Sequence, residues 1–167
     1  MTNARIIGID PGSRITGYGI VEKHNDRLIR IASGVIKTNS SDELINRLMV
    51  IKCGLDEIIS EFKPTSAAVE SVFVSINPRS SLMLGHVRGA LLVTLASSGV
   101  SVTDYSPKQI KTAVVGYGNA DKQQVNSMVT MLLNEKRKFS EDEADAVAAA
   151  ICHIHSSSSN QLLINSN

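Results

Sequence analysis

Short apolar runs with alternating polar positions open the chain: IIGID (Ile6–Asp10), TGYGIVE (Thr16–Glu22) and LIRIASGVI (Leu28–Ile36). Turn residues separate them, Pro11-Gly12-Ser13 first and the polar stretch His24–Arg27 second. Period-two runs with connections this short predict three strands in an antiparallel meander. The period then changes. Leu44, Leu48, Ile51, Leu55, Ile58 and Ile59 recur at helical spacing, with Ser41 placed as N-cap, Asp42 and Glu43 in the first turn, and an exit before Pro64. Ser66–Val72 reads as a fourth strand and Val100–Tyr105 as a fifth. Between them Asn77–Ser98 reads as a long helix, with Pro78 suited to its first turn and Gly99 to its exit. Helices over Pro107–Val115, Asp121–Asn134 and Glu141–His155 follow, then a Ser/Asn-rich tail, 156–167, expected to be disordered.

The order βββ-α-β-α-β-α predicts an α/β domain over residues 1–155: a meander continued by parallel crossover strands, with helices on the faces. A chain of 167 residues is long enough for one buried core. Cys53 and Cys152 lack metal or disulfide spacing, and both fall in apolar helical segments, which points to buried free thiols in a reducing compartment. The N-terminus does not read as a signal peptide, and no apolar run approaches the ~18 residues of a membrane span. A cytoplasmic protein with no membrane association is the expectation. Net charge is +1, but Tyr105–Lys138 holds six basic residues against two acids. That excess either faces a polyanion or forms a solvated helical face.

Three groups of acids stand out. Asp10 ends the first strand, where a turn-initiating role before Pro-Gly competes with a chemical one. Glu70 lies inside SAAVESVF, an apolar strand with no basic neighbour, so it either faces outward on an edge or is held for chemistry. In SEDEADAVAAAICHIH, Ser140 and Glu143 have capping-box spacing, and acids suit a helix's first turn. Asp145 lies beyond that turn, among alanines, and shares a face with Asp142 three residues before. If the helix packs across neighbouring strands, Asp10, Glu70, Asp142 and Asp145 converge. Four carboxylates in one cleft suit hard cations, Mg²⁺ or Mn²⁺, and two such ions about 4 Å apart can drive in-line attack on phosphorus.

The blocks IGIDPGSRITGYGI, AVESVF, QIKTAVVGYGNADKQQV and EDEADAVAAAICH, in this order from Ile6 to His155, resemble the RuvC family of bacterial Holliday-junction resolvases, within the RNase H-like nucleases. The resemblance implies an RNase H-like fold with a five-stranded mixed sheet flanked by helices. It implies a Mg²⁺-dependent homodimer that nicks two symmetric strands of a four-way DNA junction, in recombination and repair, alongside the RuvA and RuvB branch-migration proteins. The family's catalytic carboxylates fall on Asp10, Glu70, Asp142 and Asp145; some members carry His at the position of Asp142. Phe73 could stack on an unpaired base or be core. Lys111 and Lys122 match family positions near the scissile phosphate, with Lys108, Arg79 and Arg88 as further contacts.

Independently of the resemblance, SSLMLGHVRGALLVTLA is apolar on more than one side, with Leu82, Val87, Leu91 and Leu95 able to face the sheet and Met83, Ala90 and Val93 pointing elsewhere. A second subunit is the natural cover. His86, His153 and His155 read as structural or surface groups. The competing functions are another RNase H-like nuclease acting on RNA–DNA hybrids, and a junction-binding protein without catalysis. An actin-like or sugar-kinase-like ATPase would need a second phosphate loop and a second domain, and the sequence has neither.

Overall fold

A computed structural model describes residues 4–25, 27–71 and 77–164, with side chains through residue 157. The chain runs β1 (Arg5–Asp10), β2 (Ile15–His24), β3 (Arg27–Lys37), α1 (Leu44–Phe62), β4 (Ser66–Glu70), α2 (Pro78–Ser97), β5 (Ser101–Tyr105), α3 (Pro107–Val115), α4 (Lys122–Leu132) and α5 (Glu141–Ile164). The five strands form one mixed sheet in the order β3-β2-β1-β4-β5. The β1–β2 and β2–β3 pairs are antiparallel, and β1–β4 and β4–β5 are parallel, as the meander and the crossover helices require.

Each sheet face covers its own core. Ile7, Ile9, Ile20, Ala67 and Val69 join Ile51 and Leu55 of α1 and Val87, Leu91 and Leu95 of α2. Ile6, Val21, Ala68 and Tyr105 join α3, α4 and α5 on the other face. From Ala146 to Cys152 every residue of α5 is at most 1% exposed, because this helix lies between the sheet and α3 and α4. A helix buried on all sides needs no polar stripe, which explains its alanine-rich sequence.

Glycines bring α5 unusually close. Gly8 of β1 pairs with Gly19 of β2, and Asp10 pairs with Gly17. A Cβ at Gly8 would stand 1.9 Å from the Ala146 carbonyl oxygen, one at Gly19 2.9 Å from Val147 Cα, and one at Gly17 2.0 Å from the Asp142 carbonyl oxygen. Residues two apart share a sheet face. Asp10 therefore lies on the glycine-lined face, next to the start of α5.

Several sequence expectations change. Ser41 does not cap α1: its N–H and hydroxyl both donate to Asn39 Oδ1, forming a turn that delays the helix to Leu44. Asp42 and Glu43 thus precede the first turn. β4 ends at Glu70, and the Ser71 N–H makes a last bond to the Tyr105 carbonyl. The helix expected to stop at His155 continues to Ile164. Ser156 illustrates the reason: its hydroxyl donates to the Cys152 carbonyl at 2.9 Å, so it is accommodated within the helix. Cys152 is buried, but Cys53 is exposed, on a face of α1 shared with Ile45 and Met49 rather than with Ile51 and Leu55. Leu82 is also exposed, at 64%; it lies about 140° around α2 from Val87, at ~100° per residue. Met83 and Leu84 are half-buried instead. No helix among the described residues is long and apolar enough to cross a membrane.

Candidate active site

Two strands and one helix bring the acids together. β1 and β4 run parallel with Gly8 opposite Ala68 and Ile9 opposite Val69, so Asp10 and Glu70 follow side by side at the strands' carboxyl ends. Ala68 faces α5, and Glu70, two residues on, shares that face. The close approach at Gly17 brings the first turn of α5, with Asp142, over the same end, and Asp145 follows three residues later. Asp145 is only half-buried between the buried Ala144 and Ala146. All four acids selected from the sequence meet here.

Each lies within reach of another's charge. Burial, then the charges of Glu70 and Asp145, push the Asp10 carboxyl up to about 8, and Asp142 adds to the rise. Asp10 in its acid form donates a hydrogen bond to Glu70. Burial and the nearby Asp145 charge also raise Glu70, although the bond from Asp10 and the fields of Lys122 and Lys111 oppose this. Asp145 is raised by burial and by Asp142, against Lys122 and Lys111. Carboxyl groups that resist ionisation together are an unsatisfied demand for positive charge.

The donor set is oxygen only and formally carries four negative charges when ionised, which fits a hard divalent cation. Among the described residues, no three His, Cys, Asp or Glu side chains are drawn up tightly enough to enclose an ion by themselves.

Stability should register this frustration. Each of these carboxyls binds its proton more tightly folded than unfolded, so stability falls as pH rises from about 4 to about 8. In chelator, the Tm of Asp10→Asn should exceed that of wild type by a margin that widens from pH 5 to pH 8. A constant margin, followed by calorimetry, would contradict the assignment. Comparing the two proteins cancels other titrations, such as that of His153, which burial holds below its usual range.

The remaining acids of the cluster sequence are used differently. Glu143, only 6% exposed, takes Arg137 Nη2 at 2.6 Å and the Ser33 hydroxyl at 2.6 Å, and accepts from the Ser140 N–H at 3.2 Å. These donors outweigh its burial and hold its carboxyl below the usual range. Its capping role stands, with an ion pair added. Glu141 receives Lys122, whose ammonium is also 3.9 Å from Asp145.

The lysines divide. Lys122 and Lys111 act on the carboxylates, whereas Lys108 is exposed on α3, its stem against Gly118. Arg88 pairs with Asp104 at 2.5 Å and Arg79 is exposed, while Arg137 and Glu135 are consumed by internal pairs. Of the six basic residues between 105 and 138, Arg137 and Lys122 are held in ion pairs. Phe73 lies outside the described residues. His86 is exposed, His153 bonds the Tyr105 hydroxyl at 3.0 Å, and His155 bonds the Ala113 carbonyl at 3.1 Å. The glycines Gly8, Gly17 and Gly19, which place α5, were not recognised from sequence; their period-two spacing on the face of Asp10 was the available signal.

A cavity of about 480 Å³ opens beside this cluster between α4 and α5, lined among others by Lys122, Asn126, Thr130, Lys138, Glu141 and Asp145.

Known proteins share this sequence pattern and fold. The family profile described as crossover junction endodeoxyribonuclease RuvC matches residues 6–153. A protein of that name from Ralstonia pickettii is 47% identical over 151 residues, covering 90% of this chain and 83% of its own length. The protein of that name from Geobacter sulfurreducens is 49% identical over 152 residues, covering 91% and 93%. Among solved structures, Thermus thermophilus RuvC in complex with Holliday junction substrate superimposes with a TM-score of 0.88. It is 31% identical, with 94% of this chain and 96% of that one covered.

Proposed function

This chain belongs to the RuvC family of crossover junction endodeoxyribonucleases, and we propose that it resolves four-way DNA junctions by paired symmetric nicks, using Asp10, Glu70, Asp142 and Asp145 as its catalytic carboxylates. One observation carries the site assignment: Asp10 and Glu70 end neighbouring parallel strands, and the close approach of α5 at Gly17 brings Asp142 and Asp145 over the same end. The four carboxylates would hold divalent cations, Mg²⁺ with Mn²⁺ as substitute and two per site. When bound, these supply the charge and the activated water for hydrolysis of a phosphodiester.

The protein's own groups do the rest. Asp10 and Glu70 stand on the ends of adjacent strands, a rigid base that fixes where the phosphate must sit. Lys122 and Lys111 add positive charge on the β4 side, where they attract the backbone and can steady charge developing on phosphorus. The cavity beside Asp145 gives the backbone a path lined with amide, hydroxyl and lysine groups. Phe73, three residues past Glu70 in sequence, is assigned by resemblance to stacking at the junction centre, and the exposed Lys108 is a further phosphate-contact candidate.

A homodimer supplies the second active site that symmetric nicking needs. The outer face of α2 suits it: Leu82 and Val93 are 64% and 66% exposed, and Gly85 and Gly89 have nothing within 4 Å of where a Cβ would stand. RuvA and RuvB, and a cytoplasmic location, follow from family membership.

The test is incubation with Mg²⁺ and end-labelled four-way, linear duplex and RNA–DNA hybrid substrates. Symmetric nicks confined to the four-way species are expected. Cleavage of the hybrid in preference would move the protein to another activity of the same fold, and binding of the junction without cleavage would mean a structural role.

A further inference from the structure

Three cations at the β3 edge of the site have no carboxylate partner. Arg14 and Lys37 are exposed, and among the described residues neither side chain makes a hydrogen bond or ion pair. Between them lies a cavity of about 370 Å³ lined by Arg14, Ile15, Lys37 and Thr38. Arg47 of α1, only 8% exposed, reaches the rim from beneath. Its guanidinium donates to two neutral oxygens, the Ser13 carbonyl and, at 3.4 Å, the Thr38 hydroxyl. A buried guanidinium without a counter-ion is costly, and it projects positive potential through a low-dielectric wall.

The loop that carries Arg14 is also fixed. The Thr38 N–H donates to the Arg14 carbonyl at 3.0 Å and the Thr38 hydroxyl to the Ser13 carbonyl at 2.7 Å, while the Thr16 hydroxyl holds Gly12 at 2.9 Å. This loop follows directly on Asp10. Because Ile15 pairs with Lys37, and Gly17 pairs with both Asp10 and Val35, the cavity opens at the same end of the sheet as the carboxylates. Two strand spacings across and two residues along put it roughly 12 Å from Asp10. At ~3.4 Å of axis per phosphate, that is three or four nucleotides along one DNA strand.

We propose that Arg14 and Lys37, held in place by the Arg47-anchored loop, form a second phosphate-binding subsite that grips the DNA backbone on the β3 side of the carboxylates, opposite Lys111 and Lys122. The subsite rests on the nucleic-acid reading of the active site. A substrate strand is then clamped on both flanks of the cleavage position, and neither clamp shares a residue with the carboxylate cluster.

The test is junction binding in chelator, measured across salt concentration for wild type, Arg14→Gln/Lys37→Gln and Arg14→Lys/Lys37→Arg. Two lost phosphate contacts should lower the slope of log K against log salt by about 1.8, at about 0.9 per contact. Between about 50 and 200 mM salt, the glutamine variant should then lose about tenfold less affinity than wild type, while the charge-conserving variant keeps the wild-type slope. A glutamine variant with the wild-type slope and affinity overturns the subsite, as does loss of slope in both variants. If wild-type protein does not bind four-way DNA, the proposed function fails first and the subsite fails with it.

Discussion

Asp10→Asn should abolish cleavage while leaving junction binding intact. The amide keeps the shape of the side chain but cannot carry the charge that a divalent cation requires. Asp10 also feels the charges of Glu70, Asp145 and Asp142 together. Loss of one carboxylate from such a site removes several kcal/mol of transition-state stabilisation, and at 1.36 kcal/mol per tenfold the expected fall is at least about a thousandfold. Binding should hold or tighten slightly, because one negative charge facing the backbone is gone. Single-turnover cleavage of a labelled four-way junction at saturating Mg²⁺, beside binding in chelator, measures both. A rate within about tenfold of wild type would remove Asp10 from the chemistry.

Gly17→Val should cost both the fold and the activity. The added Cβ would meet the Asp142 carbonyl oxygen at 2.0 Å and its carbon at 2.6 Å, both backbone atoms of α5. No rotamer change can relieve that contact; the helix must move, and Asp142 and Asp145 move with it. Overpacking of this kind costs ~1–3 kcal/mol or more, a fall in Tm on the order of 5–10 °C for a chain of this size. Cleavage should drop further than stability alone explains, because a displacement of about 1 Å in a positioned site costs around a hundredfold. Gly34→Ala is the comparison. There the new Cβ meets only the Tyr18 ring, at 3.0 Å, a side chain that can shift. Thermal unfolding and cleavage for the pair separate the two cases, and equal effects would show that the approach at Gly17 is unimportant.

Glu70 and Asp145 illustrate how far the candidate site was legible from residues. An acid in an apolar strand and an acid among alanines are both anomalies that packing cannot explain, and both belong to the cluster. Glu143 shows the opposite: its capping position was readable, but its burial and its pairing with Arg137 and Ser33 were not. Ser33 lies 110 residues away in sequence, and no local pattern encodes such a contact. The charges of Arg137 and Glu135 were legible in the run of residues 105–138, but not that Glu143 and Arg30 take them up, which removes one cation and one acid and leaves the basic excess unchanged.

Hydrophobic periodicity along the chain determined the strands, the helices and their order, because that signal is local and repeats within each element. It also singled out Glu70 and Asp145 by their unlikely surroundings. Tertiary structure alone decided that α5 rests on Gly8, Gly17 and Gly19, which is what carries Asp142 and Asp145 to Asp10 and Glu70. It likewise decided which cations remain free, leaving Arg14 and Lys37 unpaired while Arg88 and Arg137 are neutralised. The physical reason is common to both. Close approach and charge pairing depend on distances between segments far apart in the chain, and those distances exist only once both sheet faces are packed.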